Sequence, residues 1–205
     1  GYICVNKESI ENIKFHTRLS LSKHIIPKLI KKGVVSAYKT YNLYCTVGTM
    51  DRLMRARIML SDRKFIFLDR DGVLNQKLKK GSYVSKLSEI IWNKGSLNAL
   101  KVLKKKKYET IIVTNQAGIG RGILKNETVK SIHSKMSDDI RNYGGSLDYI
   151  YVCPHHWIKN CFCRKPSPGL FLKAQYDLNL DFTKIYFIGD QKTDKEVAQM
   201  LDIKY

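Results

Sequence analysis

From Lys64 onward, two hydrophobic patterns alternate along the chain. Short continuous apolar runs are typical of strands buried on both faces, and apolar residues spaced three or four apart are typical of amphipathic helices. The runs predict strands over 64–69, 109–114, 147–153 and 184–190. The spaced segments predict helices over 95–107, 126–143, 168–178 and 193–202. Strands that alternate with helices indicate an α/β fold with a doubly wound parallel sheet.

Residues 1–62 have a different pattern and predict a separate α/β segment before a main domain over 63–205. Ser20 and Gly33 bound an amphipathic helix that Pro27 could break. Residues 34–47 alternate apolar with polar positions, as in one or two strands, and 50–60 reads as a helix. No apolar run approaches the ~20 residues that span a bilayer. The start lacks the features of a secretory signal, so we expect a cytoplasmic protein.

Polar residues follow three of the predicted strands at the point where each strand ends. In a parallel α/β sheet, ligands bind outside the carboxyl ends of the strands. Carboxylates gathered there repel each other unless a cation lies among them, and Mg²⁺ commonly uses a few carboxylates together with substrate phosphate. A lone DxD is usually a solvated turn, but the combination predicts a magnesium and phosphate site that contains Asp69, Asp71, Thr114, Asn115, Asp190 and Asp194.

Gly72 has a specific part in this prediction. Glycine lets the backbone turn sharply after Asp71, which frees the Asp71 carbonyl to point at the metal.

The segment CPHHWIKNCFC, residues 153–163, predicts a zinc-binding loop. Three thiolates and one imidazole form a tetrahedral zinc set, and four protein ligands leave no open coordination position, so the zinc would be structural. The expected ligands are Cys153, His155, Cys161 and Cys163, with His156 as the alternative imidazole. A disulfide is the competing interpretation, which a reducing compartment disfavours.

The formal net charge of +19 raises the question of nucleic-acid binding. The lysines are spread along the chain, and the one run at 104–107 ends a predicted helix, where cations suit the helix dipole. Solvated surface lysines are the favoured interpretation. A basic zinc module that binds nucleic acid stays open as an alternative, although the aromatic interleaving and C₂H₂ spacing of known readers are missing.

The motifs DRDGVLN (69–75), TNQAGIGRG (114–122), CFCRKPSPG (161–169) and GDQKTD (189–194) together resemble the haloacid dehalogenase superfamily. Within it they resemble the zinc-containing phosphatases of D-glycero-D-manno-heptose 1,7-bisphosphate and of histidinol phosphate. RKPSPG and QAGIGRG are more similar to the heptose enzymes. The resemblance implies a Rossmann-like fold and Mg²⁺-dependent hydrolysis of a sugar phosphate. Histidinol phosphate and polynucleotide ends remain alternative substrates.

By this resemblance, Asp69 is the nucleophile that forms an aspartyl-phosphate, and Asp71 is the general acid and base. Mg²⁺ would be held by Asp69, the Asp71 carbonyl and Asp190. Asp194 would orient Lys165 or the waters of the metal. The expected substrate and phosphate contacts are Thr114, Asn115, Gln116, Ala117, Arg164 and Lys165, with the turn at 81–83.

The leading segment resembles the closing part of the sugar-nucleotidyltransferases. The similarity rests on SLSKHIIPKLIKKGVVSAY (20–38) and YCTVGTMDRLMRA (44–56). The glycine-rich nucleotide loop of that family is missing, and Thr46 stands where a metal-binding aspartate is usual, so we expect no nucleotidyl transfer. A fusion of the two enzyme types favours a heptose substrate. The final residues, DIKY, resemble the start of a further strand, so we expect the phosphatase domain to be truncated.

Overall fold

The computed structural model describes residues 8, 20–37, 47–59, 61–79 and 81–205, and the structural statements below concern these residues. The chain divides into two compact units, residues 1–44 and 45–205. The predicted boundary at 62/63 therefore differs from the division by compactness, and its assignment to two protein types stays a prediction. Within the described residues, no helix combines the length and hydrophobicity needed to cross a membrane.

In the first unit, Leu21–Ile25 form one turn of π-helix and α1 (Ile26–Lys31) continues it. The Ser20 side chain accepts a hydrogen bond from the backbone N–H of Lys23 and caps the turn. Pro27 lies in the first turn of α1, directly after the π-helical turn, and the helix runs on through it to Lys31. Residues 34–37 and 47 form no strand, and the rest of the predicted 34–47 strands lies outside the described residues.

The second unit is an alternation of strands and helices, as the hydrophobic pattern predicts. Its strands are β1 (Lys64–Leu68), β2 (Tyr108–Asn115), β3 (Tyr149–Cys153) and β4 (Tyr186–Ile188). Its helices are α2 (Met50–Met59), α3 (Ser96–Lys105), α4 (Ala117–Gly120), α5 (Asn126–Tyr143), α6 (Gly169–Leu178) and α7 (Lys192–Met200). The four strands are all parallel in the order β3-β2-β1-β4, which confirms the predicted parallel α/β sheet.

Helices cover both faces of this sheet because alternate strand residues point to opposite sides. On one face, Ile66 and Leu68 of β1 and Ile112 of β2 pack with buried residues of α3 and α5. On the other face, Phe67 packs edge-on against Phe171 of α6, with ring centroids 4.9 Å apart. Burying each such side chain stabilises the fold by about 2 kcal/mol. The continuous apolar runs thus fill two cores at once.

β4 is shorter than predicted because a 3₁₀ turn, Phe182–Lys184, occupies the start of the expected 184–190 strand. Residues after α7 return to the edge of the sheet. The backbone N–H of Phe187 donates to the Lys204 carbonyl at 2.8 Å, and Lys204 forms a parallel bridge with Tyr186. The last described residues therefore extend alongside β4, where DIKY predicts a strand.

Candidate active site

The candidate site lies at the carboxyl ends of β1, β2 and β4. Leu68 pairs with Ile112 on one side and with Ile188 on the other, so the residues that follow these strands meet at one edge. A cavity of about 460 Å³ opens there. It is lined by Asp69, Asp71, Lys77, Leu78, Lys79, Gly81, Ser82, Tyr83, Val84, Thr114, Asn115, Ala117, Trp157, Arg164, Lys165 and Gln191.

Three carboxylates form a group that could hold a metal ion. One oxygen from each of Asp69, Asp190 and Asp194 lies within 4.8 Å of the others. Gly72, with φ of +106°, passes so close that a Cβ there would lie 2.3 Å from Oδ2 of Asp190. An all-oxygen set beside a close backbone approach fits Mg²⁺, which is a hard cation. The Asp71 carboxylate lies outside this group, and its carbonyl stays the predicted ligand.

Lys165 supplies a positive charge in the same place. Its side chain is buried, and Nζ lies 2.8 Å from an oxygen of Asp69 and 2.8 Å from one of Asp194. The contact with Asp69 has hydrogen-bond geometry, whereas the contact with Asp194 is an ion pair only. Burial raises the pKa of Asp69; Lys165 opposes this shift, and the negative charge of Asp194 adds to it. A divalent cation among these groups would favour their ionised forms.

Asp71 is held by four hydrogen bonds to its two carboxylate oxygens. Arg70 donates from Nε to Oδ1 at 3.0 Å and from Nη2 to Oδ2 at 2.8 Å. Asn75 donates to Oδ1 at 3.0 Å, and Gln116 donates to Oδ2 at 2.8 Å. Burial alone would raise the pKa of Asp71, but the Arg70 charge and these hydrogen bonds outweigh it and lower the pKa.

Arg70 is itself anchored by α5. It is 1% exposed, and its Nη1 lies 3.1 Å from Nε2 of His133, which is 7% exposed. Burial, together with the positive charge of Arg70, lowers the pKa of His133 to about 4, while Asp71 acts weakly in the opposite direction. His133 is therefore neutral at physiological pH, and Nε2 accepts from the guanidinium, which has only donors.

The residues at the carboxyl end of β2 and directly after it have distinct positions. Thr114, Asn115 and Ala117 line the cavity. Asn115 brackets the backbone of Lys165: its amide donates to the Lys165 carbonyl at 3.2 Å and its oxygen accepts from the Lys165 N–H at 3.1 Å. Gln116, predicted to contact substrate, is buried behind the cavity wall, and its amide donates to Asp71 and to the Thr114 hydroxyl instead. The structure thus places Gln116 next to the catalytic candidates rather than in the substrate cavity.

The predicted zinc ligands converge. One atom from each of Cys153, His155, Cys161 and Cys163 lies within 4.8 Å of the others, with sulfur–sulfur distances of 3.3 to 3.6 Å. Burial raises the pKa of the Cys153 thiol to about 12. The set has the ligand types and spacing of a closed tetrahedral Zn²⁺ site, and metal binding there would displace protons.

The cysteine loop also abuts α4 closely. The N–H of Gly120 donates to the Pro154 carbonyl at 2.7 Å, and a Cβ on Gly120 would lie 2.4 Å from the backbone N of His156. On the same helix, a Cβ on Gly118 would lie 2.9 Å from the ring of Tyr83. Gly118 and Gly120 therefore let two walls of the cavity, the Tyr83 side and the cysteine loop, pack closely against α4.

The mouth of the cavity is cationic and aromatic. Lys77 pairs with Asp190 at 2.8 Å, and Nη1 of Arg164 is buried with no hydrogen-bond partner among the described residues. Arg121 joins the two walls, because its guanidinium lies 4.8 Å from the Trp157 ring centroid and 5.9 Å from that of Tyr83. Such a mouth suits an anionic ligand.

Sequence reasoning assigned no role to Arg70, Asn75 or His133. Two signals point to them. A charged residue at the end of a buried strand needs a partner, so Arg70 implies nearby acceptors. His133 lies between Ile132 and Met136 on the apolar face of α5, where a buried histidine must be hydrogen-bonded.

Comparisons with known proteins agree with this geometry. The profile of the family described as polynucleotide kinase 3 phosphatase matches residues 64–204. The chain is similar to two proteins named D-glycero-beta-D-manno-heptose-1,7-bisphosphate 7-phosphatase, from Photorhabdus laumondii (39% identical) and Yersinia pestis (37%). In both cases the match covers 67% of this chain and 76% of the relative.

A solved structure is similar as well. It is the D,D-heptose 1,7-bisphosphate phosphatase of Bordetella bronchiseptica, complexed with magnesium and phosphate. The TM-score is 0.65 at 34% sequence identity, and the match covers 68% of this chain and 77% of that structure.

Proposed function

The chain belongs to the haloacid-dehalogenase-type phosphatase family of the D-glycero-beta-D-manno-heptose-1,7-bisphosphate 7-phosphatases, and we propose that it removes the 7-phosphate of D-glycero-D-manno-heptose 1,7-bisphosphate. One observation carries the proposal. Three carboxylates and Lys165 converge at the head of a cavity whose mouth is lined by cations and aromatic rings. This arrangement provides a reacting end for one phosphate and a cationic end for a second.

In the proposed reaction, an oxygen of Asp69 forms a bond to phosphorus while the bond from phosphorus to the sugar oxygen breaks. Asp71 gives its proton to the departing alkoxide. A water then attacks phosphorus and gives a proton to Asp71, and the bond to Asp69 breaks to release phosphate. The lowered pKa of Asp71 favours the ionised carboxylate, which is the form that accepts the proton of the attacking water.

The other residues of the site orient the substrate phosphate and offset its negative charge. Mg²⁺, held by Asp69, Asp190 and the Asp71 carbonyl, would offset the charge of the phosphoryl oxygens. Lys165, fixed by Asp194 and by Asn115, supplies a second positive charge. Thr114 lines the cavity, and its hydroxyl would donate to a phosphoryl oxygen.

We assign Zn²⁺ to the cysteine cluster in a structural role. Arg164 and Lys165 follow Cys163 directly. A zinc ion there would fix the position of both cations relative to the cavity. The unpaired Nη1 of Arg164 is then the natural contact for the second phosphate of the substrate.

The test is phosphate release from a panel of heptose 1,7-bisphosphate, histidinol phosphate and a 3′-phosphorylated oligonucleotide, with and without Mg²⁺. We expect the bisphosphate to have the highest kcat/KM and Asp69→Asn to lose at least about 10³-fold in kcat. Comparable kcat/KM for histidinol phosphate would overturn the substrate assignment, and full activity of Asp69→Asn would overturn the mechanism.

A second candidate is a phosphatase of polynucleotide 3′ ends. The description of the matching family and the net charge of +19 favour it. It predicts that the oligonucleotide is hydrolysed best and that KM rises steeply with salt, because several phosphates release counterions on binding. A bisphosphate substrate contacts few charges and predicts only a shallow dependence on salt.

We further propose that residues 1–62 are a nucleotidyltransferase-like segment without transferase activity, and that the protein is cytoplasmic. The motif similarity over 20–56 supports the first, and a cluster of free thiols suits a reducing compartment. Incubation with sugar phosphate and nucleoside triphosphates should release no pyrophosphate. Localisation is testable by fractionation of cells that express a tagged chain.

A further inference from the structure

We propose that His133 is a positioning residue for the reaction: through Arg70, it holds the Asp71 carboxylate in place for proton transfer. The inference rests on the proposed function, since it gives Asp71 the general acid and base role. It adds a residue from α5, which lies behind the cavity and contributes no lining side chain to it.

The first step is the bidentate contact between Arg70 and Asp71. The guanidinium contacts both oxygens of the neighbouring carboxylate, through Nε and through Nη2. A planar fork of two parallel hydrogen bonds fixes the carboxylate plane as well as its distance. Together with Asn75 and Gln116, which donate one hydrogen bond each, the Arg70 guanidinium therefore sets the orientation of the Asp71 carboxylate.

The second step is the contact with His133, which fixes the position of Arg70. Its remaining terminal nitrogen, Nη1, meets Nε2 of His133 at 3.1 Å, and both side chains are almost fully buried. His133 is set in the core face of α5, with Ile132, Met136 and Ile140 packed in the same cluster. The 18-residue helix α5 thus holds His133 in place, and His133 in turn orients the Arg70 guanidinium.

The third step is the effect on the chemistry. Asp71 acts on the leaving oxygen and on the attacking water, whereas the phosphate is held by other groups. Loss of the His133 acceptor leaves Nη1 buried without a partner and lets the guanidinium rotate toward another one. We therefore expect a change in kcat with little change in KM. Displacement of a reacting group by about 1 Å is sufficient to cost about 100-fold in rate.

The experiment compares His133→Leu, which removes the acceptor, with His133→Gln, whose side-chain oxygen can replace Nε2. Met136→Leu, one turn away in the same core, is the matched control. For His133→Leu we expect kcat for the sugar bisphosphate to fall about 10- to 100-fold with KM within about twofold. His133→Gln should recover most of the loss, and Met136→Leu should match the wild type. Thermal melts verify that all variants are folded.

A second substrate separates positioning of the acid from a general loss of structure. The leaving group of an aryl phosphate such as p-nitrophenyl phosphate needs little protonation, so the first chemical step depends less on Asp71. Misplacement of Asp71 should thus reduce kcat/KM, which reports the steps up to departure of the leaving group, much more for the alkyl phosphate than for the aryl phosphate. Equal losses of kcat/KM for both substrates, or an unchanged kcat for the alkyl phosphate in His133→Leu, would overturn the role of His133. A wild-type protein inactive on every phosphate monoester would overturn the proposed function, and this role with it.

Discussion

Acidification should destabilise the folded protein through His133. Its pKa is lowered from 6.5 to about 4 in the fold, first by burial and then by Arg70, with Asp71 opposing. Above pH 6.5 neither the folded nor the unfolded state binds the proton, and between 6.5 and 4 mainly the unfolded state binds it. The stability that neutral His133 contributes is thus present above pH 6.5 and is lost as the pH falls toward 4. With about 1.4 kcal/mol per pKa unit, the loss amounts to about 3 kcal/mol.

The assay is urea unfolding of wild type and His133→Leu at a series of pH values from 7.5 to 4. Other groups, including the carboxylates and the cysteine cluster, titrate in both proteins and largely cancel in the difference. The free-energy difference between wild type and variant should shrink by about 3 kcal/mol over this range. A difference that stays constant with pH would refute the reasoning, since it would show that His133 titrates alike in the folded and unfolded states.

Three further predictions concern the metal sites and the cavity mouth. Gly72→Ala should weaken activation by Mg²⁺ at least about tenfold, because the new Cβ would overlap Asp190; the measurement is a Mg²⁺ titration of activity. Cys163→Ser should lower the zinc content measured by mass spectrometry and lower the melting temperature, because one of the four ligand groups is lost. Arg121→Ala should raise KM about two- to fivefold and change kcat less, because the ring of Trp157 loses the guanidinium that also contacts Tyr83; steady-state kinetics test this.

Each of these has a control. Gly95, with φ of +85°, has open space where a Cβ would go, so Gly95→Ala also places a side chain at positive φ but without a clash at the metal group. Equal Mg²⁺ dependence of Gly72→Ala and Gly95→Ala would contradict the packing argument. For the cysteine site, Cys163→Ser with full zinc content would show that Cys163 is not needed as a ligand. For the mouth, an unchanged KM in Arg121→Ala would exclude the bridge as a determinant of binding.

The parallel sheet and the residues at its edge were predictable because their signals are local. A continuous apolar run such as 64–68 reports a doubly buried strand, and the residues that follow such strands must meet at one edge. The cysteine cluster was likewise predictable from its spacing, because four ligands on one short loop can form a tetrahedral set without contributions from distant elements. The helix over 126–143 was predicted with its full bounds because its apolar face is long and regular.

The contacts between side chains from distant elements were not predictable in the same way. Nothing local in α5 indicates that His133 meets Arg70, because that contact depends on how the helix docks on the sheet. The side-chain contacts of Gln116 were not predictable for a similar reason: its hydrogen bonds to Asp71 and Thr114 depend on how the segment after β2 packs against the residues that follow β1. β4 is shorter than predicted because a 3₁₀ turn, Phe182–Lys184, precedes it. The apolar run 185–188 does not indicate that turn.

The position of β4 beside β1 has a consequence for the newly made chain. Asp69 leaves the ribosome more than a hundred residues before Asp190 and Asp194, yet its backbone N–H bonds to Ile188 of β4 in the finished sheet. Until β4 emerges and docks, Asp69 has neither of its acidic neighbours and Lys165 has a single counter-charge. Nascent chains that stop short of β4 therefore lack two of the three carboxylates of the proposed metal site, and we expect no activity before the last strand of the sheet is in place.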